Sequence, residues 1–108
     1  MVKDENYIRE KILEFYSRIK QKYIIKKVFL FGSYAKGNYQ QDSDIDVAVV
    51  IDGEDPERRI EITSQLYKIA SAVDVFIEPK CIFWDEYINR EPASILSEII
   101  RTGKVITI

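Results

Sequence analysis

The sequence has no histidine and a single cysteine, Cys81. Without histidine there is no His-ligated zinc centre and no serine–histidine hydrolase. One cysteine cannot close an internal disulfide, which fits a reducing compartment. With no histidine to activate it, Cys81 reads as a small half-buried hydrophobe. No stretch is apolar enough over sufficient length to span a bilayer, and the N-terminus carries charges in place of a signal peptide. A cytoplasmic location and no membrane partner are therefore expected. Positive charge is not in excess either. The 16 Lys and Arg are outnumbered by 18 Asp and Glu, giving a net charge of −2, so direct nucleic-acid binding is not expected. What is present is 108 residues with 46% hydrophobic side chains, enough for one domain, 1–108, with a real core.

Hydrophobic spacing orders the chain. From about Asp4 to Tyr23, Ile8, Ile12, Phe15 and Ile19 form one helical stripe. Ile24 to Phe31 is a nearly continuous apolar run and predicts a strand buried in its later half. Asn38 to Asp42 reads as a polar loop, and Asp44 to Ile51 as a second strand ending at the Asp52-Gly53 turn. Asp55-Pro56-Glu57 is a helix start, with Asp as cap and Pro in the first turn. That helix is expected to run to about Ala72, with Ile62, Leu66 and Ile69 inward. Val73 to Ile77 reads as a third strand closed by Pro79. Phe83 to Asn89 reads as a short aromatic-rich helix or turn. A last helix begins near Pro92, with Ile95, Leu96, Ile99 and Ile100 on one face and Gly103 as its cap. Lys104 to Ile108 is a candidate short extra strand.

The chemistry concentrates between Gly32 and Val50. Gly32 ends the first strand and, lacking a Cβ, lets a ligand approach the backbone. Ser33 stands at a helix start, where its hydroxyl and free N–H groups suit phosphate. Asp44 and Asp46 are two apart on a strand, so they share a face at roughly 6.5–7 Å. Paired carboxylates suit a hard cation such as Mg2+, which prefers oxygen and substrate phosphates. A phosphate cradle beside such a pair suggests phosphoryl or nucleotidyl transfer. Rival readings fail. An EF-hand loop beginning at Asp42 would need Gly where Val47 stands and Glu where Gly53 stands. A Walker A loop or a Rossmann fingerprint needs residues that are absent. Asp42 itself reads as a turn residue. Asp74 lies in an apolar run, where an acid is costly unless paired or bound to a metal; otherwise it is a turn-proximal residue that caps the preceding helix end or faces solvent.

The run Gly32-Ser33-Tyr34-Ala35-Lys36-Gly37, a short loop, then Ser43-Asp44-Ile45-Asp46 and an apolar strand resembles the signature of the nucleotidyltransferase superfamily that includes DNA polymerase beta. It is closest to the minimal nucleotidyltransferases. The resemblance implies the nucleotidyltransferase fold, an α/β (α+β) domain with a small mixed β-sheet of three to four strands and helices packed on it. It implies ATP as substrate and Mg2+ as cofactor, two ions held by Asp44, Asp46 and Asp74. Asp74 then matches the third acid, on the strand beside the Asp-x-Asp strand. Gly32 and Ser33 are implied as phosphate-binding residues. Lys36 departs from the pattern, since relatives often have Arg there and an ammonium cannot make Arg's bidentate contact.

A minimal nucleotidyltransferase lacks the extra helical domains of its larger relatives, so a partner must complete or present a substrate. The resemblance points to a HEPN-domain toxin, a small helical RNase, in a hetero-oligomeric toxin–antitoxin pair. The implied activity is transfer of AMP from ATP to a tyrosine hydroxyl of that toxin. The alternative is an antitoxin that neutralises by contact alone, its acids idle. The segment from Phe83 to Ile100 is the expected partner surface.

Overall fold

The computed structural model describes residues 4–37, 39–40 and 42–107. Asn38 and Gln41 of the expected polar loop, and Ile108 of the expected last strand, lie outside the described residues. Helix α1 (Glu5–Ile19) leads into β1 (Ile24–Phe31), the short helix α2 (Ser33–Lys36) and β2 (Ile45–Asp52). A single 3-10 turn, Pro56–Arg58, opens α3 (Arg59–Val73), which is followed by β3 (Ile77–Phe83). Helices α4 (Trp84–Ile88) and α5 (Ile95–Thr102) and the two-residue strand β4 (Lys104–Val105) complete the order. The four strands form one mixed sheet in the order β3-β2-β1-β4. β1 is antiparallel to β2 and β4, whereas β2 and β3 are parallel across the α3 crossover.

Local chemistry explains the boundaries. Asp4 caps α1 by accepting a hydrogen bond from the Tyr7 backbone N–H at 2.8 Å, and Asp55 does the same for Glu57 at 2.9 Å. The helix ends earlier than expected, at Ile19, because residues 20–23 turn the chain into β1. Gly103 does follow α5, but in an extended conformation and not a left-handed one. Its place is fixed by crowding: a Cβ there would meet the Ile99 and Leu30 carbonyl oxygens at 2.6 and 3.0 Å.

Strand alternation divides the sheet into two faces. One carries Val28, Leu30, Ile45, Val47, Val49, Ile51, Ile77, Cys81 and Phe83, packed against α1 and α3 through Ile8, Ile12, Phe15, Ile19, Ile62 and Leu66. The other carries Phe29, Ala48, Val50 and Ile82 under Ile99 of α5, with Trp84, Tyr87, Leu96 and Ile100 packed alongside. Lys26 lies 4.9 Å over the Trp84 ring on this second face.

The β3 edge is sealed. Pro79 has no N–H to offer there. The Cys81 carbonyl accepts from Arg59 Nη1 at 2.8 Å, and the Phe83 N–H donates to Glu86 Oε1 at 2.9 Å. Arg59 and Glu86 form an ion pair across the same edge. Such blocking prevents edge-to-edge pairing with another chain.

Candidate active site

Phe31 is paired with Asp46 in the β1–β2 ladder, so the glycine turn and the acidic strand start lie side by side. Gly32 has φ +74°, a region that favours glycine, and is the cap residue of α2. A Cβ on Gly32 would overlap Asp46 Oδ2. Two needs therefore converge on one missing side chain: the turn requires left-handed backbone, and Asp46 occupies the vacated space. Ser33 is the first residue of α2, not its cap.

Between α2 and β2, aromatic stacking ties the chain back to the helix. Tyr34 is buried, stacks on Tyr39 with ring centroids 4.3 Å apart, and its hydroxyl donates to the Gln40 carbonyl at 3.4 Å. Ser43 closes the loop by accepting from the Gln40 N–H at 2.8 Å through its hydroxyl. Asp42 is exposed in a turn, as expected, and Asp44 is exposed just before β2. Asp46 is half-buried on β2, on the face of Ala48 and Val50.

The third acid is not where the sequence suggests. Val73 ends α3, and Asp74 is the residue after it. Asp74 Oδ1 accepts from the Phe76 N–H at 2.9 Å, a tight side-chain turn. Its Oδ2 accepts from the Tyr7 hydroxyl of α1 at 2.5 Å. Asp74 therefore stands off β3, as a turn residue directly after α3, and is tied to the α1 side of the sheet. Its hydrogen bond pushes the Tyr7 phenol up to about 12. The strand begins at Ile77, and Glu78 is the residue opposite Asp46 in the parallel register. The residue missed by sequence reasoning is thus Glu78. Its signal was the alternation Ile77-Glu78-Pro79-Lys80-Cys81, hidden because Pro79 reads as a strand end, although an edge strand tolerates proline.

Asp46 and Glu78 are partners in the parallel ladder, so their side chains leave the sheet on the same face. Burial and the nearby Asp44 charge raise Asp46 above the usual carboxylate range. Burial, then the charges of Asp44 and Asp46, raise Glu78 as well. Like charges in one place resist ionising together. A pair of neighbouring carboxylates under mutual repulsion suits a hard divalent cation. Among the described residues no three acid or cysteine side chains stand close enough to hold a metal ion by themselves. An ion here would take its other ligands from water and phosphate, as Mg2+ commonly does.

Asp46 and Glu78 open onto a groove of about 490 Å3. Its walls are Arg59, Thr63 and Tyr67 of α3 on one side and Ile95 and Ile99 of α5 on the other. Lys68 of α3 is exposed and is not part of these walls. In the segment expected to meet a partner, Trp84, Tyr87, Leu96 and Ile100 pack on the second face, whereas Ile88 and Ile95 are exposed. No helix among the described residues is long and apolar enough to cross a membrane.

Comparison with known proteins bears on the family and the fold. The family described as polymerase beta, nucleotidyltransferase, matches residues 10–108. The candidate protein adenylyltransferase MJ0604 of Methanocaldococcus jannaschii is 40% identical over 75 residues, covering 67% of this chain and 74% of that protein. A second candidate protein adenylyltransferase of the same organism, MJ1379, is 50% identical over 34 residues, 32% of this chain and 34% of that protein. A candidate nucleotidyltransferase from Sulfolobus solfataricus shares the fold at TM-score 0.59 and 20% identity, over 73% of this chain and 69% of that one. A toxin–antitoxin complex with AMP-PNP superposes at TM-score 0.56 with 26% identity, over 92% of this chain and 72% of that one. A mutant of the toxin–antitoxin pair MntA–HpeT does so at TM-score 0.54, with the same identity and coverage. With the family matched over nearly its whole length and its glycine turn and acidic strand start in contact, the chain belongs to the polymerase beta nucleotidyltransferase family.

Proposed function

We propose that this nucleotidyltransferase is a Mg2+-dependent protein adenylyltransferase. It moves AMP from ATP to a tyrosine hydroxyl of a partner HEPN toxin in the cytoplasm and thereby acts as an antitoxin. The observation that carries the reading is the meeting of three features at one point: the Gly32 turn, Asp46 in the space of its missing Cβ, and Glu78 opposite Asp46. The protein adenylyltransferase names of the M. jannaschii relatives and the toxin–antitoxin assemblies of similar fold support the acceptor class.

In this reading Asp44, Asp46 and Glu78 hold the metal, with Glu78 in the role that the sequence alone gave to Asp74. Gly32 lets the triphosphate approach the backbone, and Ser33 donates from its N–H and hydroxyl to the outer phosphates. When bound, Mg2+ supplies positive charge that draws in the triphosphate and offsets charge on the departing pyrophosphate. Glu78 takes the proton of the acceptor hydroxyl as that oxygen attacks the α-phosphorus in line. The groove between α3 and α5 admits the acceptor.

The test is label transfer from α-labelled ATP with Mg2+ to the co-expressed partner, with wild type and Asp46→Asn side by side. Label on the partner with wild type alone is expected. Neutralisation of the toxin by the Asp46→Asn protein, with no label in either case, would instead identify an antitoxin that works by contact.

A further inference from the structure

Across the sheet the site has a fixed order. The phosphate turn at Gly32 follows β1, Asp46 is on β2 and Glu78 is on β3. Beyond β3, on the flank of α3, comes Tyr67, which lines the same groove as Asp46 and Glu78. The outer phosphates bind at the β1 end in the proposed function, so the attacked α-phosphorus lies over the carboxylates. The attacking oxygen must then approach from the opposite side to the leaving pyrophosphate, in line. That side is the β3 side, where Tyr67 stands. Tyr67 is 43% exposed and lines the groove, so it is not locked in the core. Among the described residues no hydrogen bond holds its hydroxyl. Burial raises the Tyr67 phenol above its ordinary pKa, and the nearby charges of Glu78, Asp44 and Asp46 add to that rise. Of the tyrosines, Tyr7 is committed to Asp74 and Tyr34 is buried.

We infer that Tyr67 is a self-adenylylation site: in the absence of a partner, its hydroxyl serves as the acceptor in its own chain's groove. The inference rests on the proposed transferase reading. The Tyr67 Oη–Pα bond forms as the bond from Pα to the bridging oxygen of the β-phosphate breaks. The electron pair leaves on pyrophosphate, and the phenolic proton passes to the Glu78 carboxylate and then to water. A chain so modified carries a nucleotide in the groove that its next acceptor must enter.

The experiment is to incubate the full-length protein with ATP and Mg2+, then read intact mass and map the adduct by tandem mass spectrometry. A single AMP on the peptide carrying Tyr67 is expected, formed at a rate independent of protein concentration. It should be lost in Tyr67→Phe and in Asp46→Asn, with each variant checked for folding by circular dichroism. Mapping on the wild-type chain keeps the test valid even if a variant folds poorly. No AMP on Tyr67, AMP on another residue only, or a rate rising with protein concentration overturns the inference. A parallel arm with the toxin separates the two ideas. Label on the toxin without label on Tyr67 removes self-modification and leaves the transferase. Label on neither removes both.

Discussion

The two faces of the sheet are built from alternate residues of the same strands, yet they serve opposite ends. The α1/α3 face is closed, with Ile12, Phe15, Ile19, Val47, Val49, Ile62 and Leu66 fully buried. The α4/α5 face has a smaller apolar patch and, at one end, carboxylates that repel one another. Burial of apolar surface on the first face stabilises the molecule. The second face keeps costly charge together, which a fold tolerates only when something else secures it. A single strand illustrates the division: in β2, Ile45 and Val47 point to the core and Asp46 between them points to the site.

The sharpest way to break this comparison is to exchange the two candidate third acids. Glu78→Gln should lower transfer on the order of 10³-fold, with little change in melting temperature. Asp74→Asn should keep most of the activity, since an amide oxygen can still accept from the Phe76 N–H. Equal losses in both, measured as labelled product per folded molecule, would put Asp74 back in the site. On the closed face, Leu66→Ala should cost about 2–5 kcal/mol of stability by urea unfolding. Activity per folded molecule should survive. Gly32→Ala joins the two effects. Its left-handed backbone should cost about 1–3 kcal/mol, and the new methyl should displace the Asp46 carboxyl and depress transfer.

A milder effect sharpens the same contrast through pH. Asp46 and Glu78 have folded-state pKa values raised above their ordinary ones. A raised acid binds its proton more tightly in the folded chain. Its contribution is therefore fully present below the ordinary carboxylate pKa and is lost as pH rises through the folded value. Metal-free protein in chelator should melt higher at mildly acidic pH than at neutral pH. The difference should shrink in Glu78→Gln, and Mg2+ should restore stability at neutral pH by binding the folded state.

Much of this was legible in the sequence. The stripe Ile8, Ile12, Phe15, Ile19 is buried as its spacing predicts, and the first two strands begin within one residue of expectation. Asp55-Pro56 marks the entry to α3, and the stretch whose local chemistry stands out, from Gly32 to Asp46, is the one whose two ends the structure brings together. The third strand was not legible, for a physical reason. Val73-Asp74-Val75-Phe76-Ile77 is apolar enough to pass for a strand, but helix α3 continues through Val73, and Asp74 then turns the chain through its own carboxylate. Only the parallel register, a tertiary fact, brings Glu78 to Asp46. Tyr67 was equally invisible, because its place beside the acids depends on how α3 lies over the β3 edge.

The parallel pairing of β2 and β3 also bears on the order in which the molecule matures. Gly32 directly follows Phe31, which pairs with Asp46 on the next, antiparallel strand, a local contact that closes early at small entropic cost. Glu78 reaches them only after the whole of α3 has crossed over and docked, a non-local step of the kind that slows folding. A nascent or partly unfolded chain would thus possess the phosphate turn and one half of the acid set, but no second wall. Appearance of transferase activity during refolding would clock the docking of β3, and it should lag behind burial of the β1–β2 hairpin.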